Sequence, residues 1–257
     1  MRPVVVKIGG GAIGGGALAG GALEDLPEVF QSGRRVALVH GGGPQLTRTL
    51  DALGITTRFN EGLRVTDAET LEVAEMVFAG SVNKALVREL GAAGIPAAGI
   101  SGTDGPTLLV EPVVGLGRVG EVTRVKPGLI HAIWAGGFVP VVAPLGLGPQ
   151  GAYNVNADAA AAALALGLGA EHLLLLTDVD GLLRDGSPVA ALAPEECEGY
   201  VASGLAAGGM VPKLRAAAEA ARGGVRARII NGNKKGAVAG AIAGEKVGTL
   251  VSEGVIA

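Results

Sequence analysis

Residues 151–158 read GAYNVNAD and run directly into AAAAALALGL at 159–168. Asn154, Asn156 and Asp158 fall at alternate positions, the period of a strand, before the pattern changes to strong helix formers. Short polar residues at such a switch satisfy the free N–H groups of a first helical turn, so the plain reading of Asp158 is an N-cap. A second reading comes from two distant lysines, Lys7 and Lys213, each in a setting where a lysine has no packing role. If the chain folds so that both reach Asp158, the three form a charge centre.

Working outward, Val4-Val5-Val6-Lys7-Ile8 is a short β-branched run ending in Gly9-Gly10-Gly11, a buried strand followed by a loop. Glycines there let a backbone approach an anion and present N–H groups to it. The alternative for Lys7 is a side chain that snorkels out at a strand edge. The second strand, 35–39, repeats the device with His40-Gly41-Gly42-Gly43 and Pro44 at a helix start. Two strands ending in glycine-rich turns make a cleft at their carboxyl ends, where open α/β sheets bind ligands. His40 reads as a packed, hydrogen-bonded residue. Residues 9–14 match G-x-G-x-x-G, but the second strand ends without the carboxylate that would hold a dinucleotide ribose.

Thr66 with Glu69 reads as a capping box, opening a helix in which Ala74, Phe78, Val82, Leu86 and Leu90 recur every four residues. Arg64, just before it, could clamp a carboxylate through parallel N–H bonds or make a surface ion pair. Residues 97–100 form a third strand, 107–129 read as short strands and hairpins, 129–135 as a helix, 138–143 as a buried strand, and 144–151 as a crossing segment. The second half continues with a strand at 173–176 and the turn Thr177-Asp178-Val179-Asp180-Gly181-Leu182-Leu183. Helices at 194–203 and 235–243, and strands at 228–230 and 249–251, follow. Pro212 suits a first helical position, placing Lys213 in an opening turn where a cation opposes the helix dipole unless an anion binds there. The plan is one large α/β unit or two tightly joined lobes, with an open, mainly parallel sheet in a three-layer αβα sandwich, dividing near Pro149 into 1–149 and 150–257.

Composition narrows the classes. The 257 residues are 49% hydrophobic with 45 glycines, so the core is built of Ala, Val and Leu. A net charge of −3 gives no reason to expect a nucleic acid or an anionic membrane as partner. A single cysteine, Cys197, in an acidic loop-like context, suits a reducing cytoplasm and excludes an internal disulfide framework. No uncharged apolar stretch reaches the ~20 residues of a membrane span. The start at a strand leaves no signal peptide to be expected. Three histidines offer no metal triad, and neither a Walker motif nor a G-x-S-x-G elbow occurs. Two lysines held by one carboxylate would stabilise charge on a phosphoryl group in flight, a reaction that needs mainly positioning and electrostatics.

In order along the chain stand V-x-K-x-G-G at 5–10, VHGGG at 39–43, GLRVT at 62–66, NVNAD at 154–158, TDVDG at 177–181 and GGMVPK at 208–213. Together these motifs resemble the amino acid kinase family over nearly the whole chain, and within it the branch that phosphorylates N-acetyl-L-glutamate. The resemblance implies that Lys7 and Lys213 stabilise the transferring phosphoryl group and Asp158 orients both. It implies that Gly41 and Gly42 meet the substrate through backbone N–H groups, Arg64 its α-carboxylate and Asn154 its acetylamino region. Gly9, Gly10 and the stretch Asp178, Val179, Asp180, Gly181, Leu182 and Leu183 would line ATP, with Mg²⁺ arriving on its phosphates. By the same resemblance residues 1–149 would bind the amino-acid substrate and dimerise, and 150–257 would bind ATP. Residues 13–21 depart from the family by being glycine-rich. Arginine-inhibited relatives resemble one another in an extra N-terminal helix, for which this sequence has no room before Val4. An arginine-insensitive homodimer is therefore expected. Two readings stay open beside this one: a kinase for aminoadipate or glutamate on a carrier protein, and a non-catalytic amino-acid sensor on the same fold.

Overall fold

The structure, a computed structural model, describes residues 1–9, 21–60 and 62–254. Among them the central sheet has eight strands, in the spatial order 191–192, 249–251, 226–231, 172–177, 4–8, 36–40, 139–143 and 97–101. All neighbouring pairs are parallel except Arg226–Asn231 against Thr249–Val251. The expected open, mainly parallel sheet is thus present, and it runs unbroken across both halves of the chain, because Val4–Ile8 pairs with His172–Thr177.

Strand alternation divides the core into two layers. Val4, Val6, Ile8 and Leu38 face helices Leu26–Gln31, Gly43–Ala52, Ala68–Glu75, Asn83–Ala92 and Ala237–Ala243. Val5, Ala37, Val39, Leu173 and Leu175 face Gly128–Ala135, Ala157–Gly167, Cys197–Ala202 and Met210–Arg222. The αβα sandwich follows. Lys7 lies two residues after Val5 and so shares the second face. Its neighbours there, Ala157–Gly167 and Met210–Arg222, pack together through buried alanines such as Ala161 and Ala217.

A smaller closed sheet is formed by Leu108–Pro112, Val119–Val125, Leu145–Gly148 and Gly151–Val155. The segment expected merely to cross between halves is therefore a strand, Leu145–Gly148, paired antiparallel with Gly151–Val155. Several local expectations are refined. The helix starting at Ala68 is capped by Asp67, whose side chain accepts from the Thr70 N–H at 2.8 Å. Thr66 instead bridges to Gly117, and its hydroxyl donates to the Arg64 carbonyl. Pro212 is the third residue of Met210–Arg222, not the first, with Gly209 at the N-cap. Cys197, read in a loop-like context, opens the helix Cys197–Ala202 inside the helix expected at 194–203; it is buried, and burial raises its thiol pKa to about 11. Finally, the strict period of four from Ala74 to Leu90 is not an ordinary α-helix. Residues Met76–Val82 form a π-helical segment between two α-helices, and its wider turn brings every fourth residue back to one face. Gly10 and 11–20, including most of the glycine-rich 13–21 segment, lie outside the described residues.

Candidate functional site

Asn156, not Asp158, caps the Ala-rich helix: its Oδ1 accepts from the N–H groups of Asp158 and Ala159 at 2.9 and 3.1 Å. This leaves the Asp158 carboxylate, in the first turn, free for other partners. Its Oδ1 lies 2.9 Å from Lys7 Nζ and its Oδ2 lies 3.5 Å from Lys213 Nζ. The Lys7 contact is a close ion pair rather than a directed hydrogen bond. Lys7 is 5% exposed and Asp158 4%, so the charges meet out of bulk water. Burial pulls the Lys213 pKa down, Asp158 raises it, and the neighbouring Lys7 lowers it again. Lys213 Nζ also reaches the Gly209 carbonyl at 3.3 Å, which turns it back toward the start of its own helix. Two lysines and one carboxylate leave a surplus positive charge at the centre, the sign an incoming anion needs.

Beside this centre lies a cavity of about 210 Å³, lined among others by Lys7, Gly42, Arg64, Phe78, Asn154 and Asp158. Arg64 is 7% exposed, on the two-residue strand Leu63–Arg64. It donates to the hydroxyls of Thr57 and Thr47, both at 2.7 Å, and lies over the Phe59 ring. The surface ion pair considered for it is excluded: no carboxylate pairs with it among the described residues, and burial lowers its pKa. Asn154 is fixed by a 3.0 Å bond from its Nδ2 to the Thr66 hydroxyl, so the GLRVT and NVNAD segments are joined directly.

The glycine turn needs one correction. The Gly41 N–H donates to the Ile8 carbonyl at 2.8 Å, tying the two strand ends together instead of facing a ligand. Gly42 has its own reason to be glycine, because a β-carbon there would sit 2.8 Å from the Phe78 ring. His40 is wholly buried. Its Nδ1 donates to the Gly41 carbonyl, while Asn83 Nδ2 donates to its Nε2 at 3.1 Å and to the Val141 carbonyl. Burial lowers its pKa to about 4, with the Gly41 carbonyl opposing and Lys84 adding to the shift. A neutral, doubly bonded histidine is structural, as its sequence setting suggested.

The TDVDG turn divides. Asp180 lines a cavity of about 320 Å³ with Asn231, Lys234, Lys246 and Gly248. It accepts from Asn231 Nδ2 at 2.7 Å and from Lys234 Nζ at 2.8 Å. Leu182 turns away from any ligand: its side chain is in the core, and its N–H bonds to Thr249 Oγ1. Gly181 has φ +120°, and a β-carbon there would press on Thr249. Asp178 is exposed and accepts from the Thr177 hydroxyl, Val179 is half-buried, and Leu183 opens the exposed hairpin with Ser187–Pro188. Gly9 closes the first strand near the Leu176 carbonyl, and Gly10 falls outside the described residues. The sequence reading missed Asn231, Lys234 and Lys246. The signal was there in Asn231-Gly232-Asn233-Lys234, a polar, glycine-containing exit from a buried strand like the one at His40.

A cation pair on one carboxylate, bordering a pocket that also holds a buried arginine, has the charge that phosphoryl transfer uses. Residues 2–231 match the model of the amino acid kinase family. The chain is 71% identical to an acetylglutamate kinase of Rubrobacter xylanophilus over 98% of each chain. Among solved structures, an N-acetylglutamate synthase of Neisseria gonorrhoeae, complexed with coenzyme A and N-acetyl-glutamate, superposes with a TM-score of 0.83 at 27% identity. That match covers 99% of this chain and 60% of the synthase. A carbamate kinase of Giardia lamblia shares the fold, with a TM-score of 0.69 at 19% identity over 98% of both chains. With its motifs, its sheet and its near-complete match in hand, the chain belongs to the amino acid kinase family.

Proposed function

We propose that the chain transfers the γ-phosphoryl group of ATP to the γ-carboxylate of N-acetyl-L-glutamate, giving N-acetyl-L-glutamyl 5-phosphate in arginine biosynthesis. The observation that carries the mechanism is the grip of Asp158 on both Lys7 and Lys213. The relative at 71% identity supports the choice of substrate.

The acceptor carboxylate, with an ordinary pKa of about 4.3, is already ionised at neutral pH and needs no general base. What remains is to bring an anion to a polyanion and to stabilise charge in the transition state. Arg64 takes the α-carboxylate, exchanging its two threonine hydroxyls for the stronger charged partner. Asn154 positions the acetylamino group, and the backbone of Gly42 and Gly43 borders the γ-carboxylate. Lys7 and Lys213 hold the phosphoryl oxygens from two directions, kept charged and aimed by Asp158.

ATP is assigned to the second cavity on its chemistry: Lys234 and Lys246 bring ammonium groups and Asn231 an amide to its lining. Mg²⁺ comes with ATP, held chiefly by its phosphates. Asp158 is committed to two lysines and is not its ligand. Residues 1–149 serve the amino-acid substrate and dimerisation, and 150–257 serve ATP. The protein acts in the cytoplasm as an arginine-insensitive homodimer; no described helix is long and apolar enough to cross a membrane.

Coupled ATP consumption with N-acetylglutamate, glutamate, aspartate and aminoadipate, with hydroxylamine trapping the acyl phosphate, tests the reaction. N-acetylglutamate should be the preferred acceptor. Preference for aminoadipate or glutamate, or no trapped hydroxamate, would overturn the assignment. Light scattering and assay with millimolar arginine test the assembly, and an arginine-inhibited hexamer would refute it.

A further inference from the structure

A cavity of about 280 Å³ opens at the amino ends of strands His172–Thr177 and Arg226–Asn231. Both run parallel to Val4–Ile8, so it lies at the opposite edge of the sheet from the Lys7 centre. Arg226, Arg228, His172 and Ser252 line it. Arg226 and Arg228 are two apart on one strand, so both side chains leave the same face. His172 is the register partner of Arg226.

The charges here do not balance. Arg228 is 8% exposed, and its Nη1 donates to the Val247 carbonyl at 3.0 Å. No carboxylate pairs with it among the described residues, and both burial and Arg226 push its pKa down. Glu171, next to His172 in the chain, is engaged elsewhere: Arg34 holds its Oε2 at 3.0 Å, its Oε1 lies 3.7 Å from His172 Nε2, and Arg226 adds a weaker electrostatic pull on it. His172 is 2% exposed, and its Nδ1 has no hydrogen-bond partner. A buried guanidinium without a counter-charge is costly, as is a buried polar atom without a partner. Both costs fall on the same cavity.

We infer that this cavity is a second ligand site, taking a compact oxyanion that carries phosphate or carboxylate. Arg226 and Arg228 would hold the ligand through charge-assisted bonds, with the Ser252 hydroxyl as a further donor. Such a ligand completes the pairing of Arg228 and stabilises the folded chain by mass action.

The test is calorimetric titration and thermal unfolding of the full chain with inorganic phosphate and, separately, succinate. It is run in a Lys213→Ala background, so that the catalytic cleft has lost one cation. Arg226→Gln changes an exposed side chain and should not disturb folding. At least one probe is expected to bind saturably below about 10 mM and raise the unfolding midpoint. Adding Arg226→Gln should weaken that binding about tenfold or more, the scale of one lost charge-assisted contact. The tighter probe tells a phosphate-bearing from a carboxylate-bearing ligand. No saturable binding by either probe, or binding that Arg226→Gln leaves unchanged, would overturn the inference.

Discussion

Lys7 and Lys213 reach the same carboxylate from different settings. Lys7 is held at 2.9 Å by Asp158 on a rigid strand, whereas Lys213 is looser at 3.5 Å and shares its ammonium with the Gly209 carbonyl. Both should matter more to the transition state than to the bound ground state. Lys7→Ala and Lys213→Ala are each expected to lower kcat on the order of 100-fold or more. Calorimetric affinity for N-acetylglutamate should change only a few-fold. A large loss of affinity with turnover preserved would assign the lysine to substrate binding instead. His40 gives a prediction about stability. Its pKa falls from the ordinary 6.5 to about 4 on burial, so between those values the unfolded chain binds more protons than the folded one. Stability is therefore full above about pH 6.5 and drains away as pH falls toward 4, by up to about 3 kcal/mol from this residue. Denaturant unfolding at pH 7 and pH 5 checks the sign; equal stability at both would contradict a neutral, buried His40. The lowered pKa of His172 acts in the same direction.

At the scale of the element, the start of Ala157–Gly167 links fold to chemistry. Asn156 fills the capping role, and Asp158 is thereby released to the lysines. Asn156→Ala should cost about 1 kcal/mol of stability and should also lower kcat, because the cap sets the direction of the turn that carries Asp158. Chemical denaturation together with steady-state kinetics separates the two effects. A stability loss with unchanged kcat would show that the cap does not position the carboxylate. Element boundaries show where the sequence was legible. The switch from alternation to helix at 151–168 was readable because period two and helix propensity are local. Which of Thr66 or Asp67, and of Asn156 or Asp158, caps its helix was not, since neighbouring short polar residues compete and tertiary partners decide: Thr66 is taken by Gly117 and Asn154, Asp158 by two lysines. The period of four at 74–90 was visible, but reading it as an α-helix ignored that four residues overshoot an α-turn, which the π-helical stretch absorbs.

At the scale of the whole molecule, strand alternation brings the site together. Val5 and Lys7 share the sheet face on which Ala157–Gly167 and Met210–Arg222 pack, so three residues spread from position 7 to position 213 converge. The sequence allowed this meeting to be expected from the odd placement of each lysine, and the motif order made the expectation specific. Strand order was less accessible, because only tertiary pairing places His172–Thr177 beside Val4–Ile8. For the same reason Lys246, which follows no glycine-containing strand exit, carries no mark in the sequence of its place in that cavity. The proposed function depends on one carboxylate holding two ammonium groups that would meet the travelling phosphoryl group. The most direct measurement is turnover of Asp158→Asn, which keeps the shape of the helix start and removes only the charge. We expect kcat to fall on the order of 100-fold with N-acetylglutamate affinity nearly intact; turnover close to that of the unaltered protein would contradict the account.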